Sequence, residues 1–362
     1  MRKVRWIGRG LAICGVLALL AGCGSSDPGL TLYSDQPQAV VEPLVKQFET
    51  EQHVPVHVVY ASAGEVARGK GLSERVRAEA GAPQADLYWA CGPAAIEKLR
   101  QDGLLEKRQN FSTAQIAAPF RSPDSLWHGI GTQVRVLLYN TRLVRPDRAP
   151  RSIASLAQPA WKGRGAMADP RANGSANYHI LYLFATLPPN EASALLTAMK
   201  ANAVQFLPDE AAVVEAVSSG KAAWGVTDSD LAITAVKAGK PVRFQVTDQE
   251  PFATAEALGK VKESVPTIGT PLLPAPLAIL KGTTHLEKAW QFVDFMTSPQ
   301  TAARLAELLP ARLPTHTELL NGLQDEQINP LKLKTLPVTA SDIMDAAPKA
   351  ATVLDQVLGA AH

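Results

Sequence analysis

Cysteine is scarce in this chain: three residues in 362, Cys14, Cys23 and Cys91. So few thiols exclude the disulfide framework of a small secreted scaffold. Catalytic signatures are missing too. The seven histidines form no HExxH pair and no local Cys–His pattern, and there is no Gly-rich P-loop and no GxSxG elbow. An enzyme would have to rest on Cys91 as nucleophile with a distant histidine. Charge of one sign is not in excess, since 36 Lys and Arg stand against 34 Asp and Glu. That balance suggests no basic nucleic-acid surface. Internal repeats and low-complexity tracts are absent, and no apolar run is long enough to span a bilayer comfortably.

What is present begins at the N-terminus. Arg2, Lys3, Arg5 and Arg9 precede an apolar core from Leu11 to Leu20, the pattern of a secretory signal peptide over residues 1–22. Leu20-Ala21-Gly22-Cys23 resembles the bacterial lipobox. The resemblance implies cleavage before Cys23 and acylation of its thiol and new amino group; ordinary cleavage with a free Cys23 is the alternative. An acylated Cys23 would hold the protein at a membrane, with residues 23–29 as a flexible tether. Cleavage removes four of the 36 basic residues and none of the 34 acidic ones, so the mature chain is formally −2. Cys91 is then without a disulfide partner, and the 340 remaining residues suit two domains.

Strand and helix patterns alternate at short range, the mark of βαβ units and a mainly parallel sheet. Strands are expected at Leu30–Tyr33, Val54–Tyr60, Asp86–Ala90, Gly129–Asn140, Ala166–Asp169, Ala222–Val226, Val242–Val246 and Pro274–Leu280. Helices are expected over Val40–Phe48, opened by Pro37, then Glu65–Ala80, Pro93–Asp102, Ser175–Leu187, Asn190–Ala201, Ala211–Ser218, Asp230–Ala238, His285–Met296 and Pro299–Leu309. A terminal helix is expected near Ser341–Leu358. The fold class is α/β in two lobes.

In this order, LTLYSDQPQAVVEPLVKQFETE, QADLYWACGPAAIEKLRQDGLLE, GIGTQVRVLLYNT, LAQPAWKGRGAMADPRANGSANYH and PLAILKGTTHLEKAWQFVDFMTSPQ resemble the bacterial extracellular solute-binding proteins (family 1) of ABC transporters. The similarity is to the cluster of ferric-iron, phosphonate, sugar-phosphate and thiamine binders. It implies a type II periplasmic-binding-protein fold, in which two lobes joined by strand crossovers close on ligand by a hinge. Carried over, residues 30–128 and 271–312 form lobe 1, 129–140 the crossover, 141–270 lobe 2, and 313–362 a C-terminal extension. The implied partners are a small-molecule ligand, a permease with its ATPase, and a membrane reached through the lipid anchor. The chain is expected to be a monomer outside the cytoplasm, with no cofactor, no resident metal and no nucleic-acid partner.

Ligands of such sheets sit beyond the carboxyl ends of strands. That rule selects Ser34, Asp35, Ser62, Trp89 and Cys91 in the first lobe, and Arg171, Asn173, Gly174, Ser175, Ala176, Thr227, Asp228 and Asp230 in the second. Asn173–Ala176 opens a helix with free N–H groups, a glycine and a hydroxyl, suiting an anion; relatives hold an anion there, and Arg171 adds charge. A plain N-cap by Asn173 or Ser175 accounts for the same residues. In the crossover strand Arg135 is either part of an anion clamp or a bridge between lobes; many relatives carry two basic residues at alternate positions there, and Gln133 stands where the first usually is. Cys91 is a ligand contact or an inert filler, and Trp89 a core residue or a wall of the cleft. Iron-binding relatives place tandem tyrosines where this chain has Asp230-Leu231, a histidine near Pro37 and an acid near Cys91, so the resemblance does not carry those ligands over. Within TDSD, Asp228 or Ser229 is expected to cap the helix while Thr227 and Asp230 reach the ligand. The reading is a lipid-anchored importer receptor for an anionic, phosphorylated or zwitterionic solute. A ferric-iron or thiamine binder without the tyrosine pair, and a sensor lipoprotein without a transporter, are the alternatives.

Overall fold

Short apolar runs become strands and the amphipathic segments between them become covering helices. The computed structural model describes residues 29–62, 65, 71–107, 115–249, 268–323, 328–336 and 338–359. The expected signal peptide, Cys23, nearly all of the tether, and part of the helix expected over Glu65–Ala80 lie outside those residues.

The first lobe begins with β1 (Leu30–Ser34), α1 (Gln38–Gln52), β2 (Val56–Tyr60), α2 (Ser73–Ala78), β3 (Leu87–Trp89), α3 (Pro93–Gln101) and β4 (Leu105–Glu106). The long β5 (Trp127–Asn140) crosses to the second lobe. There follow β6 (Gly165–Ala168), α4 (Gly174–Thr186), α5 (Pro189–Ala201), β7 (Gln205–Leu207), α6 (Glu210–Ser219), β8 (Trp224–Asp228), α7 (Ser229–Lys237) and β9 (Val242–Val246). Strand β10 (Leu272–Leu280) returns, and α8 (Leu286–Met296), α9 (Pro299–Leu308) and α10 (Thr317–Asn321) follow. The chain closes with α11 (Ala340–Asp345) and α12 (Ala347–Leu358). The single terminal helix expected near Ser341–Leu358 is thus two helices. Pro348 stands in the first turn of the second, where its missing N–H is tolerated and where it cannot continue the helix before it.

The ten strands among the described residues join one sheet in the order β2-β1-β3-β10-β5-β8-β6-β7, with β4 beside β10 and β9 beside β5. Parallel pairs make up the outer parts, while β5 and β10 run antiparallel through the middle. Up to Val134, β5 pairs with β10; from Arg135 onward it pairs with β8 and, from Val136, with β9. One strand therefore belongs to both lobes, and the change of partner marks the crossing. Prolines inside β10 would normally interrupt a central strand. Here the ladder shifts register between Pro274 and Pro276, and Thr132, opposite Pro274, exchanges its backbone bonds with Leu313 instead (2.8 and 3.0 Å).

Apolar packing separates the lobes. Phe48, Phe292 and Leu277 belong to a cluster on one face of the first lobe's sheet, and Tyr88, Ile96 and Trp127 to a cluster on the other. A larger cluster around Leu137, Met167, Ile180 and Val226 fills the second lobe. Helix α11 packs on α3 of the first lobe and α4 of the second.

Candidate functional site

The carboxyl ends of β1, β3, β6 and β8 converge beside the β5–β10 ribbon, and the polar residues there fall into three groups. The first is built on Asp35, which is 5 % exposed. Its carboxylate accepts hydrogen bonds from the Tyr88 hydroxyl (2.6 Å), the Cys91 N–H (2.8 Å) and the Leu72 N–H (2.9 Å). Gly71 has φ +52°, and a Cβ there would overlap this carboxylate. Burial pushes the Asp35 carboxyl upward, against these donors. Burial also raises the half-buried Cys91 thiol well above its ordinary range, with the Asp35 charge adding to it. Cys91 is thus kept as a thiol, which removes the activation a nucleophile needs. Ser34 is fully buried and its hydroxyl accepts the Gln36 N–H (3.1 Å), closing the turn after β1. Trp89 is 1 % exposed and lies in the core. Ser62 is exposed, and its bonds to Glu65 (2.6 and 2.8 Å) are local. Of the first-lobe candidates, then, Ser34, Asp35 and Trp89 are turned to structural work.

The second group is a buried charge cluster. Arg135 is fully buried and pairs with Glu210 (2.8 Å) and Asp228 (2.5 Å). It bridges β5 to β8 and to the first turn of α6, rather than presenting a free clamp. Burial, resisted by Arg135 and reinforced by Asp228, pushes the Glu210 carboxyl up to about 7. His179 on α4 is fully buried, and burial followed by the Arg135 charge holds its imidazole well below the usual range, so it is neutral. Arg135 Nε and Nη2, Glu210 Oε2, Thr227 Oγ1 and both His179 nitrogens have no hydrogen-bond partner among the described residues. Thr227, expected to reach a ligand, is fully buried.

The third group is accessible and lies at the crossover. Asp230 Oδ2 accepts from Gln133 Nε2 (2.5 Å) and lies 3.6 Å from Arg312 Nη2, while Oδ1 accepts the Leu231 N–H (2.8 Å). The Asp230 side chain keeps 20 % exposure and that of Arg312 12 %. Burial nonetheless raises the Asp230 carboxyl above its ordinary range, against the pull of Arg312. Asp228 occupies the N-cap of α7 but makes no side-chain cap bond, and Ser229 Oγ accepts the Val134 N–H instead (3.2 Å). The capping role expected of one or the other is filled by neither. Arg312 was not among the sequence candidates. It follows α9, far from any strand end in sequence, and only Gly131 (φ +77°) lets its stem pack on β5. No local pattern signals that contact.

At the start of α4, the Asn173 side chain accepts the Ala176 N–H (2.9 Å), so Asn173 is an ordinary N-cap and Ala176 has no donor left. The N–H groups of Gly174 and Ser175 have no partner among the described residues. Arg171 is the clearest correction. Its guanidinium pairs with Asp169 and donates to the carbonyls of Leu358 (2.9 Å) and Gly359 (2.8 Å). It fastens the end of α12, where cations favour a helix C-terminus, and its charge is not left for an anion at the turn.

Among the described residues, no three His, Cys, Asp or Glu converge to hold a metal ion, and no helix is long and apolar enough to cross a membrane. The chain matches the family described as bacterial extracellular solute-binding protein over residues 30–307. It is 27 % identical over 319 residues to iron uptake protein A1 of Synechocystis sp., covering 83 % of each chain. The Fe(3+)-binding periplasmic protein of Serratia marcescens is 27 % identical over 217 residues, 60 % of this chain and 61 % of that one. Among solved structures, iron-bound HitA from Pseudomonas aeruginosa has a similar fold (TM-score 0.72, 22 % identity, 91 % of this chain and 98 % of that chain). So does AfuA from Actinobacillus pleuropneumoniae with fructose-6-phosphate bound (TM-score 0.67, 19 % identity, 91 % and 97 %).

Proposed function

Because this chain belongs to the bacterial extracellular solute-binding proteins, we propose that it is a lipid-anchored importer receptor whose cargo is a small zwitterionic or phosphorylated solute. At the family level it is a periplasmic binding protein of ABC-importer type, and not an enzyme. The anchor at Cys23 is supported by the N-terminal sequence alone.

The observation that carries the cargo reading is the Asp230–Arg312 pair at the crossover, mostly buried but still reached by solvent on both members and bearing opposite charges. A cationic or amino group would meet Asp230. An acidic group would meet Arg312 or the free N–H groups of Gly174 and Ser175. Ferric iron, named for several relatives, needs several hard anionic donors. At β8–α7 the positions are Thr227, Asp228, Ser229, Asp230 and Leu231, and Asp228 is already paired with Arg135. Asp230 alone does not make such a ligand set.

The test is a panel of aminophosphonates, sugar phosphates, thiamine and ferric citrate, read by thermal shift and tryptophan fluorescence. An aminophosphonate or a sugar phosphate is expected to raise Tm by mass action. Asp230→Ala should weaken that binding at least about tenfold while stability changes by less than about 1 kcal/mol. Binding of ferric citrate alone would replace this reading with iron transport.

A further inference from the structure

On the other side of the crossover ribbon lies a cavity of about 490 Å³, within the range of small-molecule sites. Leu272 and Pro274 line it. They flank Leu273, whose partner on β5 is Gln133. Successive strand residues face opposite sides, so this cavity and the Gln133–Asp230–Arg312 group occupy opposite faces of the ribbon. The two places are separate.

The walls come from both lobes, the ribbon between them and the C-terminal segment. Helix α3 of the first lobe contributes Pro93 and Glu97, α4 of the second contributes Tyr178 and Tyr182, and the ribbon contributes Trp127 with Leu272 and Pro274. Leu336, Val338 and Ile343, beyond the sheet, form the roof. Flat aromatic and proline surfaces dominate, which suits a planar ring.

The polar groups there are unequally satisfied. Glu97 is held by Arg100 (2.7 Å) and by Trp127 Nε1 (3.4 Å), so the one buried acid is already answered. Tyr182 donates to the Ile268 carbonyl (2.8 Å) and accepts the Leu336 N–H (3.1 Å). Tyr178 differs. It is 5 % exposed, yet its hydroxyl makes no hydrogen bond to any described residue. The hydroxyl is not among the buried polar atoms left without a partner, so it opens onto the cavity that the residue lines. Arg121 also lines the cavity and gives Nε to the Ile116 carbonyl (3.2 Å).

We propose that this cavity is a second small-molecule site, distinct from the cargo cleft, for an aromatic carboxylate: the ring against Trp127 and Leu272, the acid group at Tyr178 and Arg121. Such a ligand supplies what the walls lack, an apolar plate carrying one anionic acceptor. Its walls span both lobes, so occupancy also ties the lobes together.

The mature full-length protein is titrated with benzoate, 4-hydroxybenzoate and indole-3-acetate, read by saturation-transfer NMR and thermal shift. At least one probe is expected to bind and raise Tm. Val338→Trp, filling the roof, should abolish binding. Tyr178→Phe, which keeps the shape, should weaken it about five- to tenfold, the worth of one hydrogen bond. Asp230→Ala in the cleft should leave it unchanged. If no probe binds, or if binding persists unaltered in both Tyr178→Phe and Arg121→Gln, the proposal is wrong. Loss of probe binding in Asp230→Ala would also overturn it, by placing the probe in the cargo cleft. Failure of Val338→Trp to fold leaves the Tyr178 and Arg121 variants to decide. None of these outcomes bears on whether phosphorylated solutes bind the cleft.

Discussion

Asp35 in the first lobe and Asp228 in the second both stand at the carboxyl end of a strand, both are buried, and they are stabilised in opposite ways. Asp35 is surrounded by neutral donors, a hydroxyl and two backbone N–H groups. Asp228 faces a buried arginine that it shares with Glu210. The neutral arrangement places a donor on each carboxylate oxygen. The ionic one leaves Arg135 Nε and Nη2 and Glu210 Oε2 without partners among the described residues. A single guanidinium faces two carboxylates, so the second cluster carries residual negative charge when both acids ionise, and raising Glu210 relieves it. Sensitivity to mutation and to pH should therefore concentrate in the second lobe.

The largest effect tests that contrast directly. Arg135→Met leaves two buried carboxylates unanswered and is expected to cost about 3–5 kcal/mol in urea unfolding. Adding Glu210→Gln and Asp228→Asn to it should recover most of the loss. A single variant as stable as the parent would show that the ion pairs contribute nothing. Asp35→Asn comes next. The amide must turn an N–H toward at least one of the Tyr88, Cys91 and Leu72 donors, and the expected cost is about 1–3 kcal/mol.

The smallest effect is on the pH profile. Glu210 has a folded pKa of about 7 against an ordinary 4.5, and Asp248 about 6 against 3.8, burial being the main cause in each. A raised carboxyl binds its proton more tightly in the folded state. The stability it contributes is whole below the ordinary pKa and is lost as pH rises through the folded value. Tm should fall as pH rises from about 4 to about 7. In Glu210→Gln the fall should be shallower, with the Asp248 part remaining and little change at the acid end. An unaltered slope would remove Glu210 as its source.

Most elements were legible because their apolar periods were long enough to read. The five buried positions of α1 recur at helical spacing, and β9 spans the residues expected of it. Strand β7 was missed because Gln205–Leu207 offers three half-exposed residues, too few to show a period. At the site, the strand-end rule located the right loops but could not tell how each side chain's hydrogen bonds are used. Asn173 reads the same as a cap or as an anion contact until its oxygen is seen on Ala176 N–H. In the sequence Arg171 stands beside the turn, yet its guanidinium, besides pairing with Asp169, reaches the carbonyls of Leu358 and Gly359, far along the chain.

By itself the sequence determined the alternation of strand and helix, the α/β class and membership of the solute-binding family, because these follow from local periodicity and from residues that keep their order. Only the tertiary structure decided which polar groups remain available. Hydrogen bonds and ion pairs are satisfied by neighbours in space. The pairing of Arg135 with Glu210, the fastening of α12 by Arg171 and the arrival of Arg312 beside Asp230 all depend on contacts between segments that the chain separates widely.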